Sequence, residues 1–405
     1  MSIIVQKFGG TSVADPKQRE RVCHHVKKAL QSAGKVVVVV SAMGREGSPY
    51  ATDTLLTLLR ENGQEDVRET DLLMACGEII SGVIMSARLR ADGLKACFLT
   101  GAQAGIRTDE NFGDARIQAV QTEYLLRCLE KYDVVVAAGF QGQSFSGEMT
   151  TLGRGGSDTT ASALGAALNA DVVEIFTDVE GVMTADPKLL ADARLLEQVT
   201  YNEICQLARE GAKVVHPRAV EIAMEKNIPL RVRSTFSDSP GTLVTSRMDG
   251  KAGCDVQERL ITGITSLSHI AQFRIEKKPQ DSIRAEKEVF GRLAAEGISL
   301  DFISIQPEEL RFTVKEQEQE KVETILEEMG YGFRVLPHCA KVAAVGAGMT
   351  GKPGVMSRVV NALAAENIAI LQSGDSYTSL WCLVEEADMK AALAALHREF
   401  SLGKR

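Results

Sequence analysis

No two of the eight cysteines, at positions 23, 76, 97, 128, 205, 254, 339 and 382, stand at the spacing of a zinc site or a redox pair. They read as small buried residues of a reduced cytoplasmic protein. No apolar run reaches membrane-spanning length, and Val36 to Val40 reads as a buried strand. The opening Met1-Ser2-Ile3-Ile4-Val5-Gln6-Lys7 lacks the charged start and long apolar core of a signal peptide. No basic block stands out, and a net charge of −8 argues against a general nucleic-acid binder. The first strand–turn–helix contains neither Gly-x-x-x-x-Gly-Lys-Ser/Thr nor Gly-x-Gly-x-x-Gly. That removes the P-loop and weakens a nicotinamide-binding reading.

The chain does have a globular composition, 44% hydrophobic and 25% charged, over 405 residues, enough for two or three domains. It is organised around Thr151-Leu152-Gly153-Arg154-Gly155-Gly156-Ser157-Asp158, with a small-residue segment behind it that reads as a helix. Glycines let backbone N–H groups approach a bound anion, and the helix start adds its positive dipole end. Arg154 can grip a carboxylate or phosphate with two parallel hydrogen bonds. The alternative is a tight turn capped by Ser157 or Asp158. Upstream, Ile3 to Phe8 reads as a strand, Asp15-Pro16 as a helix start, and Lys35 to Val40 as the next strand, a βαβ unit. Later strands, Leu94–Leu99, Asp133–Ala138 and Val172–Thr177, also end in glycine, hydroxyl or acidic residues. Ligands of open α/β sheets bind at the carboxyl ends of strands, so the pattern predicts one long cleft.

Lys7-Phe8-Gly9-Gly10-Thr11-Ser12, Ser41-Ala42-Met43-Gly44, Gly77-Glu78, Gly139-Phe140-Gln141-Gly142, the Gly153–Asp158 loop, Thr177-Asp178 and Asp186-Pro187 occur in this order. Together they resemble the aspartokinases, of the amino acid kinase fold, and the resemblance covers nearly the whole chain. The look is that of the short, monofunctional bacterial enzymes of the diaminopimelate-sensitive type. The resemblance implies an α/β domain, a mostly parallel sheet sandwiched by helices, over residues 1–245. It implies transfer of the ATP γ-phosphate to the β-carboxylate of L-aspartate, giving 4-phospho-L-aspartate. That is the first step toward lysine and diaminopimelate, threonine and methionine. ATP enters with Mg2+ as its substrate complex, and no resident metal site is implied.

Joining an anionic nucleophile to an anionic phosphate needs positive charge and positioning more than a strong base. The resemblance accordingly makes Lys7 and Asp158 the catalytic pair. Lys7 neutralises the transferring group, and Asp158 orients it, since a carboxylate nucleophile has no proton to lose. Gly9 and Gly10 donate backbone N–H groups to the nucleotide. Arg154 takes the α-carboxylate of aspartate, Glu78 its α-ammonium and Thr52 its side-chain carboxylate. Ser41 and Ser157 line the same site. Thr177, Asp178, Asp186 and Lys213 hold ATP. Met183 stands where many relatives carry tyrosine, which puts an aromatic contact to adenine in doubt. His216 reads as a packed histidine.

The segment Ser237 to Asp255 reads as a linker, and the chain beyond it is repetitive. Residues 268–338 fit a complete βαββαβ unit, ferredoxin-like, and a second copy starts at Lys341. These look like the paired ACT modules of aspartokinases. Effector contacts at Lys352, Pro353, Gly354, Gln372 and Ser373 are implied, with lysine, threonine or diaminopimelate as effector and a homodimer through these modules. The first copy has Lys278-Pro279-Gln280 in place of Lys352-Pro353-Gly354, so the two effector loops are read as non-equivalent. The second copy lacks a fourth strand, and Leu260 to Thr265 is strand-like and surplus to the first. The second module is therefore expected to comprise 258–266 plus 341–405, with the first inserted inside it. Residues 258 to 266 should then pair with 341 to 346. Two other readings stay open: a catalytically silent amino-acid sensor, and a kinase of another amino-acid carboxylate. Neither nucleic acid nor membrane is an expected partner.

Overall fold

The computed structural model describes residues 2–63, 66–212, 214–246, 260–277, 282–349 and 351–403. Two compact units emerge. The first comprises Met1–Val182, Leu195–Ala208 and Lys213–Cys254; the second comprises Met183–Arg194, Arg209–Ala212 and Asp255–Arg405.

The first unit opens with β1 (Ile3–Phe8), the short α1 (Gly10–Val13), α2 (Pro16–Ser32) and β2 (Lys35–Val40). Asp15 caps α2 by accepting from the Gln18 N–H at 2.9 Å, with Pro16 behind it. Then come α3 (Thr52–Arg60), α4 (Val67–Ala91), β3 (Ala96–Leu99), β4 (Ile106–Thr108), β5 (Ile117–Val120) and α5 (Glu123–Lys131). β6 (Val134–Ala138), β7 (Gln141–Ser144), β8 (Met149–Thr151), α6 (Gly156–Leu168) and β9 (Val172–Thr177) are next. The unit closes with β10 (Gln198–Thr200), α7 (Tyr201–Arg209), α8 (Pro217–Glu225), β11 (Leu230–Ser234) and β12 (Thr242–Thr245). The eight-stranded sheet runs β10-β12-β11-β9-β1-β2-β6-β3, parallel except for β11 against β12. Val36 to Val40 is fully buried. Each valine contributes about 1.5–3 kcal/mol on burial, so β2 anchors the centre of the sheet and fixes where Ser41 emerges.

Three features differ from the sequence expectation. A second, four-stranded sheet, β5-β4-β7-β8, stands beside the first. Its strands have three or four residues each, too short to show a periodicity. β12 lies inside the stretch read as linker and completes the main sheet. Finally, α4 is long and apolar enough to cross a membrane by length and composition, but half of its apolar window is buried. Asp71 and Glu78 on it are 0% and 2% exposed, so it packs as a core helix.

The second unit contains β13 (Gly263–Glu276), α9 (Ser282–Ala295), β14 (Asp301–Ile305), β15 (Glu309–Lys315), α10 (Gln319–Glu328) and β16 (Phe333–Val345). α11 (Val355–Ala365), β17 (Gln372–Asp375), β18 (Ser379–Glu385) and α12 (Met389–Glu399) complete it. One six-stranded sheet runs β14-β15-β13-β16-β18-β17. β13 and β16 each serve two modules. Ile270–Ile275 pairs with Cys339–Phe333 on one side of the seam, and Gly263–Leu267 pairs with Val345–Lys341 on the other. The sequence expectation splits each of these strands in two, at the boundary between 258–266 and 268–338 and at that between 268–338 and 341–405. Residues 258, 259 and 278–280 lie outside the described residues. Separate hydrophobic cores form on the two sides, one around Phe273, Phe312 and Leu293, the other around Val342, Leu363 and Leu396.

Candidate active site

The site forms where β1 and β2 end and α6 begins. Lys7, one residue before the end of β1, pairs in the sheet with Val39 of β2 and Ile175 of β9. Its ammonium lies 2.6 Å from Asp158 Oδ1, in the first turn of α6. The two side chains are only 13% and 12% exposed, so the pair is held inside the cleft rather than on its rim. Gly10 comes shortly after, and its backbone is so close to Gly44 and Ala42 that a Cβ there would meet their carbonyl oxygens at 2.5 and 2.6 Å. No larger residue fits between these two strand ends.

Each glycine of the organising loop has a separate reason. Gly153 and Gly155 have φ of 70° and 73°. Gly156 has ordinary φ, but a Cβ on it would meet Phe140 at 2.8 Å. The loop is clamped from both sides. Buried Asp71 accepts from the Thr151 N–H and hydroxyl, both at 2.7 Å, and from the Gly113 N–H. Arg218 donates to the carbonyls of Leu152 and Ala115 at 3.0 and 2.7 Å. Arg154 is exposed at the loop tip, with no ion pair or hydrogen bond among the described residues.

Opposite the loop, Glu78 projects from α4. Its Oε1 accepts from the Ala42 N–H at 2.9 Å, while its Oε2 is buried without a hydrogen-bond partner among the described residues. Burial pushes this carboxyl up to about 8, against the pull of the Ala42 hydrogen bond. A cation brought to Oε2 would be held by a group with no competing partner.

These residues enclose a cleft of about 560 Å³. Lys7, Gly10, Ser41, Thr52, Glu78, Arg154, Ser157 and Asp158 all line it. Gly9 adjoins it, since a Cβ there would lie 3.6 Å from the Lys7 ammonium. Thr177 and Asp178, at the end of β9, are not in its wall; Asp178 is paired at 2.7 Å with Arg45, which is. Met183 and Asp186 belong to the second unit, Asp186 being exposed and accepting from the Lys188 N–H at 2.8 Å. Lys213 lies outside the described residues. Sequence reasoning missed Arg45, Phe140, Asp71 and Arg218. An acid inside the apolar run of α4 was the one available signal, and it pointed to Asp71.

A second cavity, of about 400 Å³, lies in the second unit. Lys352, Gly354, Ser373 and Asp375 are in its wall. Pro353 adjoins it in sequence. Gln372 is not in that wall: its amide donates to the Phe302 carbonyl at 2.6 Å and accepts from Gln272 at 2.7 Å, across the seam between modules. Side chains alternate along a strand, and Ser373 and Gln372 cannot share a face.

Residues 2–234 match the Amino acid kinase family, and residues 334–398 match the ACT domain. The chain is 53% identical to Aspartokinase 1 of Bacillus subtilis (strain 168) over 405 residues, 100% of each protein. It is similar to the crystal structure of E. coli aspartokinase III in complex with aspartate and ADP (R-state). The TM-score is 0.77 at 26% identity, covering 98% of this chain and 99% of that one. The lysine and aspartate complex (T-state) of the same E. coli enzyme gives a TM-score of 0.77 at 27% identity, with the same coverage.

Proposed function

Because the chain belongs to the aspartokinases of the amino acid kinase family, we propose that its cleft carries out ATP-dependent phosphorylation of aspartate through a division of labour among its residues. Lys7 neutralises the γ-phosphoryl group as it moves, and Asp158 holds Lys7 in line. Arg154 takes the α-carboxylate of aspartate, Glu78 its α-ammonium, and Thr52 and Ser157 steady its side chain. Gly9, Gly10 and Ser41 border the phosphates. Thr177 and Asp178 make up the nucleotide side, where ATP enters as its magnesium complex. The observation that carries this reading is the unpartnered, buried Oε2 of Glu78, a residue that lines a cleft also holding the Lys7–Asp158 pair. An ammonium ion satisfies that oxygen and favours the ionised carboxylate.

A second module of 258–266 with 341–405, with 268–338 inserted in it, is supported by the pairing of Gly263–Leu267 with Val345–Lys341. The 400 Å³ cavity is the effector site, for lysine, threonine or diaminopimelate, in an enzyme of the cytoplasm. A homodimer through the second unit is supported by the exposed Ile303 and Ile305 on the edge strand β14. The test is an ADP-release assay with aspartate, repeated with each of the three effectors. Turnover without aspartate dependence would refute the substrate assignment. Insensitivity to all three would remove these effectors from the cavity.

A further inference from the structure

The two modules of the second unit meet at a pair of histidines that the catalytic cleft does not use. His269 sits at the register shift of β13 between Leu267 and Ile270, where the strand passes from one module to the other. His338 sits at the matching point of β16. Both adopt left-handed backbone, with φ of 59° and 55°. His269 Nδ1 lies 3.4 Å from Glu316 Oε2 and 3.4 Å from Glu386 Oε1. Glu316 and Glu386 open the equivalent short 3-10 turns behind β15 and β18, so each module supplies one carboxylate.

We propose that His269, Glu316 and Glu386 bind a divalent transition-metal ion of the zinc class, which clips the two halves of the sheet together. Their ligand atoms all lie within 4.8 Å of one another. Zinc holds nitrogen and oxygen ligands at about 2.0–2.2 Å, so a tetrahedral ion spaces them about 3.4 Å apart. That is the spacing His269 keeps to both carboxylates. An imidazole with two carboxylates suits zinc, cobalt or nickel better than magnesium or calcium, which favour all-oxygen shells. The remaining oxygen of each carboxylate is already held. His338 Nδ1 lies 2.6 Å from Glu316 Oε1, and the backbone N–H of His269 donates to Glu386 Oε2 at 3.3 Å. Such outer contacts orient ligands before the ion arrives. His269 is 73% exposed and the glutamates 25% each, so an ion can enter and one position stays open to water.

Full-length protein stripped with a chelator and titrated with Co2+, without nucleotide, tests this. One equivalent per chain should bind with visible d–d absorption, displaced by Zn2+ and not by Mg2+. His269→Ala and Glu386→Gln should each abolish it, and His338→Ala should weaken it roughly 10- to 100-fold. Zn2+ should raise the Tm of the wild type and leave that of Glu386→Gln unchanged, with uninhibited kinase turnover equal in both. Glu386→Gln keeps the side-chain shape, so it carries the test even if His269→Ala folds poorly. Absence of stoichiometric binding at micromolar cobalt overturns the proposal. So does binding that survives both His269→Ala and Glu386→Gln.

Discussion

Two helices here begin in the same way and face cavities that differ in stiffness. α6 starts behind Gly155 and α11 behind Gly354, both glycines left-handed at 73° and 87°, neither helix with a side-chain cap. Each start lines a cavity. The surroundings separate them. A Cβ on Gly155 would meet the His216 ring at 2.3 Å, whereas one on Gly354 meets nothing within 4 Å among the described residues. The α6 start is also held by the Asp71 and Arg218 clamps on the loop before it. A wedged helix start suits catalysis, where misplacing a charge by an ångström is costly. An open one suits sensing, where a ligand must be able to shift a local equilibrium.

The strongest test of the wedged side is Lys7→Ala. Removing a charge aimed at the developing transition state costs roughly 10² to 10³ in kcat. The Tm should fall by a few degrees at most, because Lys7 contributes charge rather than packing. Near-normal turnover would show that rigidity around Lys7 serves something other than phosphoryl transfer.

Glu78 and Arg154 come next. Each charge-assisted contact to aspartate contributes about 1.5–3 kcal/mol, so Glu78→Gln and Arg154→Ala should raise the aspartate KM about 10- to 150-fold and leave the ATP KM nearly unchanged. Equal effects on both substrates would contradict the assignment. Glu78 adds a pH signature. Its folded carboxyl is raised from 4.5 to about 8 by burial. The folded state therefore holds a proton that the unfolded chain has released, so the stability contribution present below pH 4.5 is lost as pH rises to about 8. An ammonium ligand favours the ionised form, so the aspartate KM should fall over the upper part of that window. In Glu78→Gln both trends should flatten, which thermal scans and initial rates at several pH values will reveal.

How much of this was legible in the sequence depends on the same division. Arg154 and Asp158 stand in a glycine-rich loop that reads as an anion site from its residues alone, whereas Lys7 and Glu78 were marked only by the resemblance to aspartokinases. The clamps did not announce themselves. Arg218 acts through backbone carbonyls of Leu152 and Ala115, which carry no sequence signature. The second sheet was invisible because its strands are too short for alternation to register. In the second unit the βαββαβ repeat showed clearly. The continuous β13 and β16 did not, because His269 and His338 interrupt each strand with left-handed backbone where sequence reading saw a boundary.

The smallest expected effect sharpens the comparison most. Alanine at a left-handed position costs about 1–2 kcal/mol of backbone strain wherever it is placed. Gly155→Ala and Gly354→Ala therefore share that cost, and any excess reports the surroundings alone. At Gly155 the added methyl faces the His216 ring, anchored at its own helix start, so either the imidazole or the loop must shift. That should move Arg154 and Ser157 together, raise the aspartate KM and lower kcat, and lower the Tm. At Gly354 the methyl meets no atom of the described residues. Uninhibited turnover and the aspartate KM should stay at wild-type values. The Tm should fall by the shared backbone cost alone, and the effector concentration for half-inhibition should rise, by up to the roughly 5- to 30-fold that 1–2 kcal/mol sets when the free loop relaxes out of the left-handed conformation the bound loop needs. If Gly354→Ala impairs uninhibited catalysis as much as Gly155→Ala does, the two helix starts are equally constrained and the distinction between wedged and open fails.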